Sequence, residues 1–128
     1  MSIHTSKYTG GGVLEIGDNS GISNTAITVA EKVTIGNNVL IGSGCKIYDY
    51  DFHPIEPEYR YGISADFHRS RRKPIVIKDG AFIGGHSIIL KGSVIGKDSI
   101  IGAGSVVSGN IPDGEIWAGN PAQFIRKI

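Results

Sequence analysis

A six-residue recurrence of large aliphatic residues constrains the fold of this chain more than any other feature of its sequence. Between residues 77 and 107 every sixth position holds a β-branched aliphatic: Ile77, Ile83, Ile89, Ile95, Ile101 and Val107. A period of six fits neither an α-helix nor a simple alternating strand. We therefore interpret it as a repeat of short strand, turn and short strand, in which one aliphatic side chain per unit points inward.

A second pattern accompanies the first, because each unit also has a small residue where the chain is expected to bend. The fifth places of successive units are Ala81, Ser87, Ser93, Ser99 and Ser105. Cys45 occupies the equivalent place in an upstream unit, which predicts a packed thiol rather than a reactive one. Small residues and β-branched aliphatics together favour an all-β fold.

The repeat extends upstream with one irregularity and one interruption. Earlier aliphatics in phase are Ile16, Ile22, Ile35, Ile41 and Ile47. The interval between Ile22 and Ile35 is thirteen residues, so we predict one inserted residue, a bulge at a corner, near Thr28-Val29. The repeat stops for an insertion at about residues 54–74 and then runs to about residue 109. Residues 110–128 are predicted to form a tail that covers one end of the array.

Composition limits the class of protein. The 128 residues are expected to form a single domain, 1–128. A formal charge of +1 gives no bulk attraction to nucleic acid or anionic membranes. The sequence has no segment of the kind that spans a bilayer or directs export, and only one cysteine. These features predict a cytoplasmic protein.

One of the four histidines differs in position from the others. His53 stands six residues after Ile47, where an inward aliphatic is expected, and is followed by Pro54. Local rules of a fold are most often broken at functional sites, so His53 is the leading candidate for chemistry. His86 lies in a turn of an intact repeat and is predicted to be structural or solvent-facing. His4 lies in a lead-in expected to be loose, and His68 belongs to the insertion.

Several segments resemble the hexapeptide repeats of the left-handed parallel β-helix acyltransferases. They are IGNNV at 35–39, IG at 83–84, IGKDS at 95–99 and IGAGSVV at 101–107. DYDFHP at 49–54 and WAGNPA at 117–122 are similar to signatures of the maltose and galactoside O-acetyltransferase branch, close to the polysaccharide O-acetyltransferases. The resemblance covers residues 16–128.

This resemblance implies a left-handed parallel β-helix of about five coils, with one inserted loop and a C-terminal tail. It also implies a homotrimer with active sites between subunits, acetyl-CoA as the acyl donor, a small sugar-like acceptor and no metal. The insertion is expected to fold over the active site of a neighbouring subunit, because long insertions rich in aromatic and basic residues tend to be functional.

The family's mechanism implies roles for individual residues. His53 matches the general base that takes the proton of the acceptor hydroxyl. Asp51 is expected to orient the imidazole or to bind the acceptor. Ser23 and Asn24 match the acceptor-binding segment of the family. Gly85 matches the backbone N–H donor to the oxyanion.

The resemblance also implies a coenzyme A groove formed near Ala103 and Ser108, with Arg126 available for phosphate contacts. Phe82 replaces the tryptophan usual in the family. Gly109 and Gln123 stand where the family usually has two cations. The insertion is a candidate source of others, namely Arg69, Arg71, Arg72 and Lys73.

Other functions share this fold and stay open. One is N-acetylation of a nucleotide-linked amino sugar or of an antibiotic, which would use the same base and donor. A second is a non-catalytic trimeric scaffold. A third is a zinc enzyme of the γ-carbonic anhydrase type, for which His53, His68 and His86 are the available ligands.

Overall fold

The computed structural model describes residues 2–4, 11–62 and 65–128. Its strands are mostly two to four residues long: β1 Ser2–His4, β2 Val13–Ile16, β3 Gly21–Ile22, β4 Ala26–Thr28, β5 Lys32–Ile35, β6 Leu40–Ile41, β7 Lys46–Tyr48, β8 Ile75–Ile77, β9 Phe82–Ile83, β10 Ile88–Ile89, β11 Val94–Ile95, β12 Ile100–Ile101, β13 Val106–Val107, β14 Asn110–Ile111, β15 Glu115–Gly119 and β16 Ala122–Lys127. Two short 3-10 helices, Pro57–Tyr59 and Phe67–Arg69, lie in the insertion.

Successive strands belong to three different parallel sheets, so the chain winds as a solenoid with three faces. Face A contains β2, β5, β8, β11 and β14; face B contains β3, β6, β9, β12 and β15; face C contains β4, β7, β10 and β13. Each coil visits A, B and C in turn, and the fifth coil ends on face B. We call the corners the A–B, B–C and C–A edges. The all-β repeat fold predicted from the six-residue period is confirmed.

The aliphatic residues of the period stack in columns inside the solenoid. On face A, Ile35, Ile77, Ile95 and Ile111 are in register on successive coils, and each is at most 3% exposed. Equivalent columns run along faces B and C. Fully burying such a side chain contributes about 1.5–3 kcal/mol, so these columns form the hydrophobic core.

The small residues at the corners donate additional hydrogen bonds to backbone carbonyl groups of the bends. Ser93 Oγ donates to the carbonyl oxygens of Leu90 (2.6 Å) and Val107 (3.1 Å), and Ser105 Oγ donates to that of Gly102 (2.6 Å). Both serines are fully buried. Cys45 is buried at the equivalent corner with Sγ 3.3 Å from the Gly84 carbonyl oxygen. Buried hydroxyl groups therefore stabilise the corners rather than perform chemistry.

The corner with the additional residue is held by one buried carboxylate. Asp49 Oδ1 accepts from the N–H of Ala30 (2.6 Å), and Oδ2 accepts from those of Glu31 (2.7 Å) and Lys32 (2.8 Å). Asp49 is fully buried. The C–A corner of the first coil is in fact two residues longer than that of the third coil, and the preceding B–C corner is one residue shorter than that of the second, so the net difference is the one residue predicted near Thr28-Val29. Asp49 of the next coil satisfies the amide groups of this wide corner.

The ends of the array differ from the expectations drawn from the sequence. Residues 2–4, expected to be loose, form β1, which pairs antiparallel with β2 on face A. The array also continues past residue 109, because β14 and β15 form a fifth coil. Only the last residues fold back: β16 pairs antiparallel with β15, and the Phe124 ring packs edge-on against the Trp117 ring, with 6.3 Å between ring centroids. In the described residues, the structure contains no helix that meets the length and hydropathy needed to cross a membrane.

Candidate active site

The insertion leaves and rejoins the solenoid at one point on the C–A edge. The Lys73 N–H donates to the Asp49 carbonyl oxygen (3.0 Å), and the Asp51 N–H donates to that of Arg71 (3.0 Å). Between them Tyr50 and Arg72 form an antiparallel bridge. The two stems therefore pair with each other, and the insertion begins at Asp49, five residues earlier than the sequence suggested.

His53 is carried by a tight turn at the end of this paired stem. The His53 N–H donates to the Asp51 carbonyl oxygen at 2.7 Å, which closes a three-residue turn. Phe52 at its centre has φ of +66°. A γ-turn with positive φ at a non-glycine residue is rare and strained, and such strain persists only where surrounding contacts impose it. We call residues 51–53 the His53 turn.

Contacts on both sides impose this conformation. The Phe52 ring meets Tyr48 edge-on at 5.0 Å between centroids and lies 4.4 Å from the Tyr50 ring. Across the C–A edge, Lys91 Nζ lies 2.9 Å from Asp51 Oδ1. An aromatic cluster and an ion pair therefore fix the two residues that precede His53.

The position of His53 itself corrects one expectation. An inward-facing place was predicted from its six-residue distance to Ile47, but His53 is exposed. The chain has left the coil at Asp49, and the next inward aliphatic of the array is Ile75. His53 is therefore presented on the outside of the solenoid, where a substrate can reach it.

Tyr50 is the titratable group next to the His53 turn whose environment changes its ionisation. Burial raises the pKa of its hydroxyl above the usual value, and the charge of Asp49 adds to that rise, while Arg72 acts in the opposite direction. Tyr50 is thus kept neutral in its role as a packing partner of Phe52.

The C–A edge continues below the insertion. The Gly92 N–H donates to the Lys73 carbonyl oxygen (3.1 Å), and the Val94 N–H donates to that of Gly109 (3.0 Å). The Lys73 side chain lies over Gly92, where a Cβ would come within 2.9 Å of Lys73 Cδ. Ser108 is exposed on this edge, one coil below Lys91.

The other residues proposed from the sequence lie on a different edge. Ser23 and Asn24, Gly85, and Ala103 occupy the B–C corners of the first, third and fourth coils. The Gly44 N–H donates to the Asn24 carbonyl oxygen (3.0 Å), and the Gly104 N–H donates to that of Gly85 (2.9 Å), so these corners are stacked.

Two further candidates belong to face B. Phe82 is 46% exposed in β9, in register with the exposed Leu40 of β6. Arg126 lies in β16 opposite Ile116. Both residues therefore lie on face B, away from the His53 turn.

One chain does not bring the two groups of candidate residues together. His53, Asp51 and Ser108 lie on the C–A edge, whereas Gly85 and Ala103 lie on the B–C edge, and face C separates them. A reaction that needs the His53 imidazole and the Gly85 N–H at one carbonyl group therefore requires the edges of two chains.

The histidines are similarly dispersed. His86 lies in a B–C turn with φ of +60° and covers Gly44, whose added Cβ would come within 2.5 Å of His86 Nδ1. His68 lies in the 3-10 helix Phe67–Arg69, and His53 on the C–A edge. Among the described residues no group of three His, Cys, Asp or Glu side chains is placed to hold a metal ion.

Sequence reasoning missed two residues that shape the site, Asp49 and Lys91. Asp49 was part of the DYDFHP segment, but nothing in its spacing predicts contact with a corner nineteen residues earlier. Lys91 occupies an ordinary corner of an intact repeat, and only the stacking of coils places it beside Asp51.

Comparisons with known proteins agree with the repeats and the fold. Residues 74–109 match the family described as bacterial transferase hexapeptide (six repeats), and residues 32–47 match the hexapeptide repeat of succinyl-transferase. Protein CapG of Staphylococcus aureus is 47% identical over 96 residues, which is 75% of this chain and 53% of CapG. The chain thus spans about half of that relative's length.

Solved structures give the same result. A maltose O-acetyltransferase from Clostridium difficile superposes with a TM-score of 0.79 at 33% identity, covering 90% of this chain and 59% of that one. A hexapeptide-repeat acetyltransferase from Vibrio cholerae, solved with acetyl coenzyme A, gives 0.77 at 33% identity, covering 89% and 60%.

Gamma carbonic anhydrase 1 of Arabidopsis thaliana is also similar, at 35% identity over 108 residues that cover 72% of this chain and 38% of the relative. The repeat therefore relates the chain to more than one chemistry, whereas the two solved structures described above are named as acetyltransferases. Taken with its five coils and interrupted C–A edge, these matches show that the chain has the left-handed β-helix fold of the hexapeptide-repeat acyltransferases, and that residues 74–109 carry the repeat of the bacterial transferase hexapeptide family.

Proposed function

We propose that this chain is an acetyl-CoA-dependent O-acetyltransferase that acetylates a hydroxyl group of a sugar or sugar-like acceptor, with His53 as general base. The observation that carries the proposal is the strained turn that presents an exposed imidazole on the C–A edge. Backbone strain at a residue next to a histidine is a feature of functional sites and has no value for a solenoid that only needs to stack.

The chemistry follows from the groups on the two edges. An acceptor hydroxyl is too weakly acidic to ionise near neutral pH, so it needs a base as its oxygen attacks the thioester carbonyl of the donor. The imidazole of His53 takes that proton as the oxygen adds to the carbonyl carbon. When the carbon–sulfur bond of the resulting intermediate breaks, the imidazolium returns the proton to the departing coenzyme A sulfur, and the thiol leaves. The developing oxyanion needs a donor, and no backbone carbonyl in the described part of the chain accepts from the Gly85 N–H.

A homotrimer is the assembly that joins these edges. Face B exposes Leu40 and Phe82 at 54% and 46%, and Ile100 continues the same outward column. An apolar stripe of this kind beside the B–C edge supports burial against another copy. Three copies related by a closed rotation would place the C–A edge of each against the B–C edge of the next.

The same arrangement gives the donor and the insertion their places. Ala103 and Ser108 would line the groove between two copies, one from each edge. Lys73 lies two coils above Gly109, where the family usually has a cation. Its side chain extends over Gly92 of the coil between them, which supports a role in binding phosphate. Exposed Ile55 and Tyr61 on the insertion support contact with the neighbouring copy.

Carbohydrate acceptors are supported by the relatives rather than by this chain's geometry. Solved structures named as a maltose O-acetyltransferase and a galactoside acetyltransferase are similar to it at 33% and 34% identity. Asp51, Ser23 and Asn24 have carboxylate, hydroxyl and amide groups that can form hydrogen bonds with sugar hydroxyl groups. The cytoplasmic location expected from the sequence stays a prediction.

Thiol release from acetyl-CoA tests the proposal. The purified protein is assayed with mono- and disaccharides, nucleotide-linked amino sugars and chloramphenicol, and the acetylated atom is identified by mass spectrometry and NMR. We expect turnover with a sugar hydroxyl. Turnover only with amines would move the assignment to N-acetylation, and a trimer without thiol release from any acceptor would favour a scaffold.

Two further measurements complete the test. Sedimentation equilibrium at micromolar concentration should give three times the mass of the chain, and a stable monomer would contradict the shared site. Zinc bound in stoichiometric amount together with CO₂ hydration would replace the proposal with the chemistry of the carbonic anhydrase relatives.

A further inference from the structure

The ion pair between Lys91 and Asp51 joins the insertion to the solenoid beside the His53 turn. Lys91 Nζ lies 2.9 Å from Asp51 Oδ1, and both side chains are about one-third exposed, at 35% and 34%. In comparison, the other lysine ion pair of the described residues, Lys32 with Glu15, measures 3.6 Å and is nearly half exposed. Partial burial and short distance make the Lys91 pair the more constrained of the two.

Asp51 is part of the turn that the ion pair restrains. Its carbonyl oxygen accepts the His53 N–H that closes the turn, and its own N–H donates to Arg71. Asp51 is therefore held at three points: by the turn, by the paired stem and by Lys91. Of these, only the contact with Lys91 connects Asp51 to the stacked coils of the array itself.

The strain in the turn makes this connection necessary. Phe52 at φ +66° would relax to a negative value if its neighbours allowed it. The aromatic contacts with Tyr48 and Tyr50 restrain the Phe52 side chain, but they do not restrain Asp51. Loss of the charge on Lys91 removes the restraint on the first residue of the turn.

We propose that Lys91 is a positioning residue, which acts through Asp51 to hold the strained turn and thereby sets the direction of the His53 imidazole. Lys91 makes no contact with the reacting atoms in this role. Its effect on catalysis rests on the proposed acetyl transfer, whereas its effect on the turn does not.

The test compares Lys91→Met, Asp51→Asn and the double variant with wild type. If Lys91 acts through Asp51, Lys91→Met should lower kcat about 10- to 100-fold, the range that follows from a small misplacement of a catalytic group. The KM for acetyl-CoA should stay within twofold. On the Asp51→Asn background, Lys91→Met should have no further effect on kcat, because the group through which it acts is already neutral.

Hydrogen exchange supplies a readout that does not depend on activity. Amide exchange of the peptide covering residues 50–54 should accelerate in Lys91→Met, while exchange in the core strands stays unchanged. Lys91→Arg should restore both exchange and kcat in part. Lys97→Met is the matched control, since Lys97 lies on the A–B edge away from the turn, and it should change neither.

Three results would overturn the inference: unchanged exchange of residues 50–54 in Lys91→Met, an undiminished kcat, or an equal further loss of kcat when Lys91→Met is added to Asp51→Asn. The last would mean that Lys91 contacts a substrate directly. If wild type transfers no acetyl group to any acceptor, the proposed function fails, and exchange alone decides whether Lys91 holds the turn.

Discussion

The A–B edge and the C–A edge are built from the same repeat but differ in regularity and in the residues they present. Along the A–B edge the Asp79 Oδ1 accepts from the Asn37 N–H (2.8 Å), and the Asn37 Oδ1 accepts from the Asp18 N–H (2.7 Å), so each coil fastens the one before it. Along the C–A edge the stacking is interrupted by an insertion, a strained turn and an ion pair. The regular edge stabilises the solenoid, and the irregular edge carries the candidate chemistry.

The largest effect expected from this contrast is on turnover. His53→Ala should lower kcat about 10²- to 10⁴-fold, the range for loss of a positioned base. Because His53 is exposed and replaces no core residue, the thermal midpoint should change little. His68→Ala, at another exposed histidine of the insertion, is the control and should keep wild-type kcat. A well-folded His53→Ala variant with unchanged kcat would remove the chemical role from the C–A edge.

The next effect is on stability and concerns the carboxylate beneath the insertion. Asp49→Ala would leave the amide groups of Ala30, Glu31 and Lys32 without their acceptor, at about 1–3 kcal/mol for each that stays buried. We expect a loss of about 3 kcal/mol or more in chemical denaturation. Asn37→Ala on the A–B edge removes one such acceptor and should cost about 1 kcal/mol. Equal losses would show that the two edges contribute alike.

A small gain in stability is expected on the A–B edge, where the series of side-chain acceptors that bond the backbone N–H groups of the preceding coil is interrupted at Lys97. Lys97 occupies the corner equivalent to Asn37, and the Lys97 N–H donates to Asp113 Oδ1 at 2.7 Å. Lys97→Asn would place an acceptor near the Asp79 N–H and extend the series between the third and fourth coils. We expect about 0.5 kcal/mol of added stability, the lower end for one hydrogen bond, with kcat unchanged. Reduced kcat would contradict the separation of the two edges.

The smallest expected effect is on the pH dependence of stability. Because burial raises the Tyr50 pKa in the folded state, the protonated hydroxyl stabilises the fold below the tyrosine pKa of the unfolded chain, and this contribution is lost as pH rises through the folded-state value. Tyr50→Phe should therefore lose less stability than wild type as the pH rises above about 10. Tyr61→Phe, at an exposed tyrosine, is the control and should follow wild type.

The repeat was predictable from the sequence because one physical rule acts at every unit. Ile83 and Ser87 have the same environments as Ile95 and Ser99, so their spacing alone indicated a stacked array. The end of the array was harder to predict. Trp117 replaces an aliphatic in the fifth coil, and the period fades although the strand pairing continues.

The candidate site was only partly predictable, because it depends on contacts between residues that are far apart in the sequence. The DYDFHP segment identified His53, but the strain at Phe52 depends on contacts with Tyr48, Tyr50 and Lys91 that no spacing rule describes. The expectation of an inward His53 failed because the period was extrapolated past Asp49, where the chain had already left the coil. The separation of the candidate residues onto two edges follows from the three-faced geometry of the solenoid, and the motif alone does not predict it.

The shared exit and entry point of the insertion has a consequence for how this protein can be altered. Since the Lys73 N–H bonds directly to the Asp49 carbonyl oxygen, the solenoid is continuous across the gap whatever residues lie between. The free energy of closing a loop grows only slowly with its length. We therefore expect that segments of other lengths can replace the chain between residues 53 and 71 without shifting a coil, so that the insertion can be exchanged on a fixed frame.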